Sequence, residues 1–317
     1  MCIIIGEIEK VSATKIFVGQ MPNKKQFTVY SNKINTPKHK DTNNTSPFLL
    51  PSVNSKDDNN VAMILPVPTK ELNDIQIVDM SEYKNMFKDL KYYFPSSVYL
   101  NGARTRGFVA KSVNSFLPIT VHGSYDVTIV PSLEEFYRLK YDHFVLKIDA
   151  IPLFQKNYSE NFGFIVCRIR DDAEYHPFGY THSLYEDDKL FIPTKHYHNN
   201  SEDHADWDHE IYVAGGDINR DTKLNGMKIR VGESDSALIP KLPVKLVTDK
   251  VSDLHQITIS RMYDRNHDFM INVKKYSSVY SVKYNTPEPK ERGKDFSLKN
   301  NIHGGLTRTY HGLHLNK

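Results

Sequence analysis

The stretch 204-HADWDHEIYV-213 decides how the chain is read. Taken as a strand, its alternation puts Trp207, His209, Ile211 and Val213 on an apolar-leaning face and Asp206, Asp208 and Glu210 on a polar one. Taken as a helical turn, Asp206 meets His209 and Glu210 at i+3 and i+4, an arrangement suited to metal ligation. The run Ile211-Tyr212-Val213 is β-branched and aromatic, which favours the strand. His209 then becomes a core histidine satisfied by hydrogen bonds.

Working outward, strand signals recur on both sides. "CIIIGEIE" and "TKIFVGQM" are β-rich runs separated by "KVSA", and "KQFTVYSNKI" follows a "MPNK" turn, with Phe27 and Val29 on one face and Thr28 and Tyr30 on the other. "VAMILPVP", "YDVTIVP" and above all "FGFIVCRIR" continue the pattern, and "GMKIRVG", "LPVKLVT", "LHQITIS" and "DFMINVKKYSSVYSVKY" follow the opening stretch. An Asn101-Gly102 pair reads as a hairpin turn. Helices are few. One starts near Ser81, with Tyr83, Met86, Phe87 and Leu90 on one face; another is "SLEEFYRL", capped by Ser132 with Glu135 at the capping-box position. Strands do not alternate with helices as βαβ units would. The expectation is therefore an α+β fold of mostly antiparallel β-sheet with a few helices. A single domain should span residues 1–285, with a long polar insertion at 35–60, and a basic, extended C-terminal arm should occupy 286–317.

The totals narrow the class. A chain of 317 residues with 19 Tyr and 16 Phe can bury a sizeable core and does not resemble a disordered one. It lacks an apolar run long enough for a transmembrane helix, and "MCIIIGEIEK" lacks the basic start and cleavage site of a signal peptide. Two cysteines, Cys2 and Cys167, point to a reducing, cytoplasmic location. Cys167 sits mid-strand and should be buried and inert. The net charge of +3 hides an asymmetry. Between Asp171 and Glu210, eleven acidic residues stand against Lys189 and Lys195, whereas from Lys241 onward 14 basic residues face seven acidic ones. The two ends could attract each other, or the basic one could reach an acidic partner. No compact basic stripe interleaved with aromatics is visible, which argues against nucleic acid.

Six of the 14 histidines fall between His176 and His209. Imidazole nitrogens and carboxylate oxygens converging on a point hold divalent transition metals such as zinc, iron or manganese. If "KLFIPTKHYH" is one strand, His196 and His198 share a face and supply half of a tetrahedral site. Asp206, Asp208 or His209 could add a third ligand, as could His176 or His182 from the preceding loop. The expected metal set is His196, His198, His204, Asp206, His209 and His255.

Two family resemblances follow from particular residues. His204-Ala205-Asp206, with His255 on a later strand and Arg265 beyond it, resembles the facial triad of the 2-oxoglutarate-dependent non-haem iron oxygenases. That resemblance implies an iron centre, with Arg265 holding an acidic cosubstrate. The opening "MCIIIG" is similar to the start of N-terminal-nucleophile amidotransferases, although Ile3 stands where that family has glycine. It implies that Cys2, exposed by removal of Met1, is a thiol nucleophile activated by its own α-amine. Against both stands the leading expectation: a non-catalytic binding or structural protein with a protein partner, or self-associating through its Tyr-rich strands and basic arm. Whether the chain is an enzyme stays open at this point.

Overall fold

The computed structural model describes residues 2–5, 10–35, 61–69, 74–94, 116–144, 151–158, 161–170, 175–197, 209–218, 227–233, 239, 241–259 and 267–275. By contacts the chain divides into Met1–Lys275 and Tyr276–Lys317, and every described residue belongs to the first unit. Asn35, the first residue of the expected insertion at 35–60, ends a strand; the rest of that insertion, the Asn101-Gly102 turn and the arm at 286–317 lie outside the described residues.

The architecture is sheet-rich and mostly antiparallel, with few and short helices. Its strands are β1 (Cys2–Ile5), β2 (Lys10–Met21), β3 (Lys25–Asn35), β4 (Ala62–Pro68), β5 (Gln76–Val78), β6 (Thr120–His122), β7 (Tyr125–Val130) and β8 (Phe162–Ile169). They continue as β9 (Phe178–Ser183), β10 (Lys189–Ile192), β11 (His196–Tyr197), β12 (His209–Ala214), β13 (Lys228–Val231), β14 (Leu254–Ile259) and β15 (Phe269–Asn272). The helices are α1 (Met86–Lys91), α2 (Tyr141–Phe144) and α3 (Ile151–Asn157), with 3-10 turns at Ser81–Tyr83, Leu133–Arg138 and Val251–Asp253. No helix among the described residues is long and apolar enough to cross a membrane.

Three sheets form. One has six strands in the order β11-β1-β4-β8-β7-β6, a second has seven in the order β13-β14-β12-β2-β3-β9-β5, and β10 pairs with β15 alone. Among the described residues only β1–β11 and β2–β12 pair in parallel. Strand alternation shows how the large sheets stack. Ile165 and Cys167 of β8 and Val127 of β7 share one buried cluster with Ile16 and Val18 of β2, Ile211 and Val213 of β12, and Tyr180 of β9. That cluster is the layer between the sheets, a packing that interdigitates two inner faces. The alternate residues of β8, Phe164 and Val166, belong to a second cluster with Phe136, Phe144, Phe154 and Tyr158 from the helical segments. β8 is thus buried on both faces, which is why "FGFIVCRIR" reads as a continuous apolar run. A third cluster lies on the other side of the seven-stranded sheet, where Met86, Phe87 and Leu90 of α1 cover Phe17, Phe27, Val29 and Tyr212.

The strand reading of 209–213 holds, with His209, Ile211 and Val213 facing the inter-sheet core and Tyr212 facing α1. Five details depart from the sequence reading. "SLEEFYRL" forms a 3-10 helix over Leu133–Arg138, and Ser132 makes no side-chain cap hydrogen bond. "KVSA" is not a turn: it lies inside β2, where the ladder shifts between Ser12 and Lys15 and Ala13 takes a φ of 53°. Such a bulge adds a residue to one strand and bends it without ending it. "LPVKLVT" forms no regular strand. Pro243 has no N–H to give a ladder, and Leu242, Val244 and Leu246 of this irregular segment lean on the third cluster. Ser81 is not the cap acceptor; its N–H donates to Asp79 Oδ1 at 2.9 Å, so the carboxylate two residues earlier organises that turn. "KLFIPTKHYH" is not one strand either. Pro193 has no N–H to give a ladder, β10 ends at Ile192, and the chain crosses to another sheet as β11. The "MPNK" turn, by contrast, forms as read and closes the β2–β3 hairpin, with Asn23 and Lys24 both at positive φ.

Candidate functional site

The chain's own chemistry brings two of the predicted ligands together. After Pro193, the Thr194 hydroxyl donates to the His267 carbonyl at 2.8 Å and the Lys195 N–H donates to Asp268 Oδ1 at 2.8 Å. Tyr158 holds the other oxygen of that carboxylate at 2.6 Å. These contacts steer the backbone onto the edge of the six-stranded sheet, where His196 lies in parallel register with Cys2. From the facing sheet, alternation in β12 turns His209 inward. The two Nε2 atoms approach to 2.7 Å and the rings cross at 71°. Tyr30 of β3 places its hydroxyl 3.3 Å from the same His196 nitrogen.

All three side chains are sealed, with His196 3%, His209 4% and Tyr30 1% exposed. Two imidazole nitrogens at that separation share a single proton, because a second would set N–H against N–H. Burial pushes His209 down to about 4, which keeps that ring neutral at pH 7. The cluster joins β11 of one sheet to β3 and β12 of the other. Chemically it can do two things: clasp the sheets through hydrogen bonds, or offer two nitrogens and a phenol oxygen to a cation.

The remaining predicted residues are not gathered there. His255 lies on β14 opposite Val213, four positions along the ladder from the His209–Ile259 pair. At about 3.3 Å per residue this sets it roughly 13 Å from His209. The strand register thus keeps His255 away from the His196–His209 pair, and its expected companions His204 and Asp206 lie outside the described residues. His198, His204, Asp206 and Arg265 lie outside the described residues. Among the described residues no group of three His, Cys, Asp or Glu could hold a metal ion. Cys2 begins β1, but β1 and β2 run in different sheets, not as one hairpin. Cys167 is buried in the inter-sheet core, as expected.

Two further histidines, weighed from sequence as loop ligands, have both ring nitrogens engaged within the fold. His182 donates from Nδ1 to the Ser183 carbonyl at 2.7 Å, leaving Nε2 to accept from the Thr28 hydroxyl at 3.3 Å. Burial lowers it to about 4. His176 donates to the Pro177 carbonyl at 2.8 Å and accepts the Ser124 N–H at 3.2 Å. Its ring fills the space over Gly123, whose φ of +58° and missing Cβ allow the close approach. Each carbonyl partner requires the proton on Nδ1, so both rings are locked as one neutral tautomer.

Sequence reasoning missed Tyr30, because an alternating strand does not reveal which inward phenol meets a histidine. It also missed the surface. Phe116 is 45% and Tyr137 72% exposed, and the hydrogen bond from Leu117 N–H to the Arg138 carbonyl, 3.2 Å, sets their neighbours side by side. On β13, Ile229 and Val231 are 37% and 49% exposed.

Among solved structures the chain is similar to baculovirus P35, at 14% identity and a TM-score of 0.48, over 86% of this chain and 100% of that one. It is similar to a mutated baculovirus P35 after caspase cleavage at 12% identity and a TM-score of 0.47, over 83% and 100% of the two chains. A chain of the caspase-8/P35 complex aligns at 12% identity and a TM-score of 0.45, over 83% and 97%. No protein-family model matches the chain, and no curated protein matches it in sequence.

Proposed function

We propose, from the chain's own surface, that it is a non-catalytic binding protein that takes a protein partner on the face carrying Phe116 and Tyr137. The observation that carries this is the exposure of two large aromatics whose backbones are tied together by the Leu117–Arg138 hydrogen bond. Water-exposed aromatic area is costly to keep and is the side-chain class that dominates interface hot spots. The chemistry-bearing groups point the same way: His176, His182, His196 and His209 are all buried in the fold. A double variant, Phe116→Ala/Tyr137→Ala, removes only surface groups and should unfold like the parent. It should weaken the partner by about 2 kcal/mol or more, some thirtyfold. Quantitative affinity capture with co-elution on a sizing column measures this. A variant that retains every partner of the parent would exclude this face.

A second reading rests on the 2.7 Å approach of His196 and His209. Zinc, iron or manganese there would take both Nε2 atoms and Tyr30 Oη, with the nitrogens opening slightly to fit a metal–nitrogen distance of about 2.1 Å. Elemental analysis of untagged protein, purified without chelator, decides it. Near-stoichiometric metal that vanishes in His196→Ala and in His209→Ala supports the site; metal-free folded protein rejects it. The thiol reading keeps one supporting observation, the register of Cys2 beside His196.

A further inference from the structure

We propose that the outer edge of β13 is a strand-addition site for an extended peptide of alternating acidic and apolar side chains. This rests on the binding reading above and names a class of partner for a second surface of the same protein. β13 ends the seven-stranded sheet, and its register pairs Ile229 with Ile257 and Val231 with His255. Cross-strand partners point to the same side. Ile257 is 0% exposed in the inter-sheet core, so Ile229 and Val231 continue that apolar face beyond the place where the opposite sheet covers it. The other edge of this sheet, β5, carries no exposed large apolar residue. Among the described residues no strand pairs with the outer side of β13, and a sheet edge with exposed apolar residues is a template for another strand.

The two faces of β13 define the occupant. Lys228 and Arg230 lie on the reverse side, the first exposed and the second half-buried. Arg230 Nη1 reaches Gln256 Oε1 at 3.3 Å, and Gln256 in turn donates to Glu210 at 2.5 Å. Glu210 also accepts the Tyr212 hydroxyl at 2.7 Å, so its carboxylate serves the sheet behind the edge. The Lys228 ammonium has no partner among the described residues. A strand added about 4.8 Å outside β13 therefore meets cations on one face and apolar side chains on the other. Alternating acidic and apolar residues match both.

The test is fluorescence anisotropy with a labelled octapeptide of alternating glutamate and valine, blocked at both ends, against a lysine/valine control. Wild-type protein should bind the acidic peptide saturably and ignore the control. Val231→Lys, a change at a half-exposed side chain, should weaken binding at least tenfold with an unchanged near-ultraviolet circular dichroism spectrum. Lys228→Glu should shift preference toward the control. Absence of binding, or equal binding by Val231→Lys, overturns the assignment. So does a wild-type dimer by light scattering that Val231→Lys dissociates, since the edge would then be filled by a second copy. If capture through Phe116 and Tyr137 persists while the peptide fails, the edge assignment falls and the binding reading stands. If the peptide binds while capture fails, the edge stands without that face.

Discussion

Lowering the pH from 6.5 to 4 should cost the folded chain about 3 kcal/mol at His182 and a similar amount at His209, from the shift of each to about 4. Unfolded imidazoles take a proton near pH 6.5, whereas the folded ones refuse it until about pH 4. Within that window the unfolded state binds more protons, so stability falls as pH falls; below it these two groups cost nothing further. The cause at both sites is burial, reinforced by tautomer. His182 already spends its Nδ1 proton on the Ser183 carbonyl, and a proton on Nε2 would displace the Thr28 hydroxyl it accepts. His209 faces another imidazole at 2.7 Å. Burial also lowers His122, His143, His176 and His255, which act in the same sense. Carboxylates enter mainly below pH 5, so urea unfolding at pH 6.5 and pH 5 isolates the histidines, with about 2 kcal/mol each from His182 and His209 over that interval. His182→Gln and His209→Gln should each flatten the dependence. Equal stability at the two pH values, or an unchanged slope in both variants, would refute this account.

Gln26→Leu should destabilise the fold by about 3–5 kcal/mol although it removes no charge and little volume. Gln26 acts as a peptide group supplied by a side chain. Its Oε1 accepts the Phe191 N–H at 2.8 Å, and its Nε2 donates to the Phe191 carbonyl at 2.7 Å and to Thr28 Oγ1 at 2.7 Å. Phe191 pairs with Met270 of β15. Its own N–H and C=O, being taken by Gln26, face away from that partner strand, as at a non-hydrogen-bonded position of an antiparallel ladder. Gln26 therefore docks the β10–β15 pair onto β3. Leucine there would leave both backbone groups of a 1% exposed residue without partners, and would take from Thr28 the donor that sets its hydroxyl toward His182. Chemical denaturation gives the loss directly, and amide exchange at Phe191 should accelerate in the variant. A stability within 1 kcal/mol of the parent would mean that water replaces the carboxamide, contrary to this reading.

What was legible without coordinates is local. Alternation in "HEIYV" sends His209, Ile211 and Val213 to one face, and in "KQFTVYS" it separates Phe27 and Val29 from Thr28 and Tyr30, because a two-residue period follows from backbone geometry alone. The uninterrupted apolar run of "FGFIVCRIR" marks a strand covered on both faces, and the lone buried Cys167 follows from it. Met86, Phe87 and Leu90 repeat at helical spacing and do cover a sheet, although the helix is a single short one.

Only the tertiary structure decided which distant residues meet. Histidines clustered in sequence suggested one centre, but Pro193 breaks the strand and sends His196 to a different sheet from β10, where it meets His209 and a tyrosine 166 positions away. His255, equally eligible by type, is carried off by strand register. Gln26 and Phe191, 165 positions apart, carry no mutual signal in a sequence because a carboxamide is eligible for many partners until the fold presents one. Edges are undetermined for the same reason: "KIRV" alternates like any half-buried strand, and nothing local says that, among the described residues, it ends the sheet. Periodicity belongs to the chain; pairing, register and exposure depend on what the rest of the chain brings alongside.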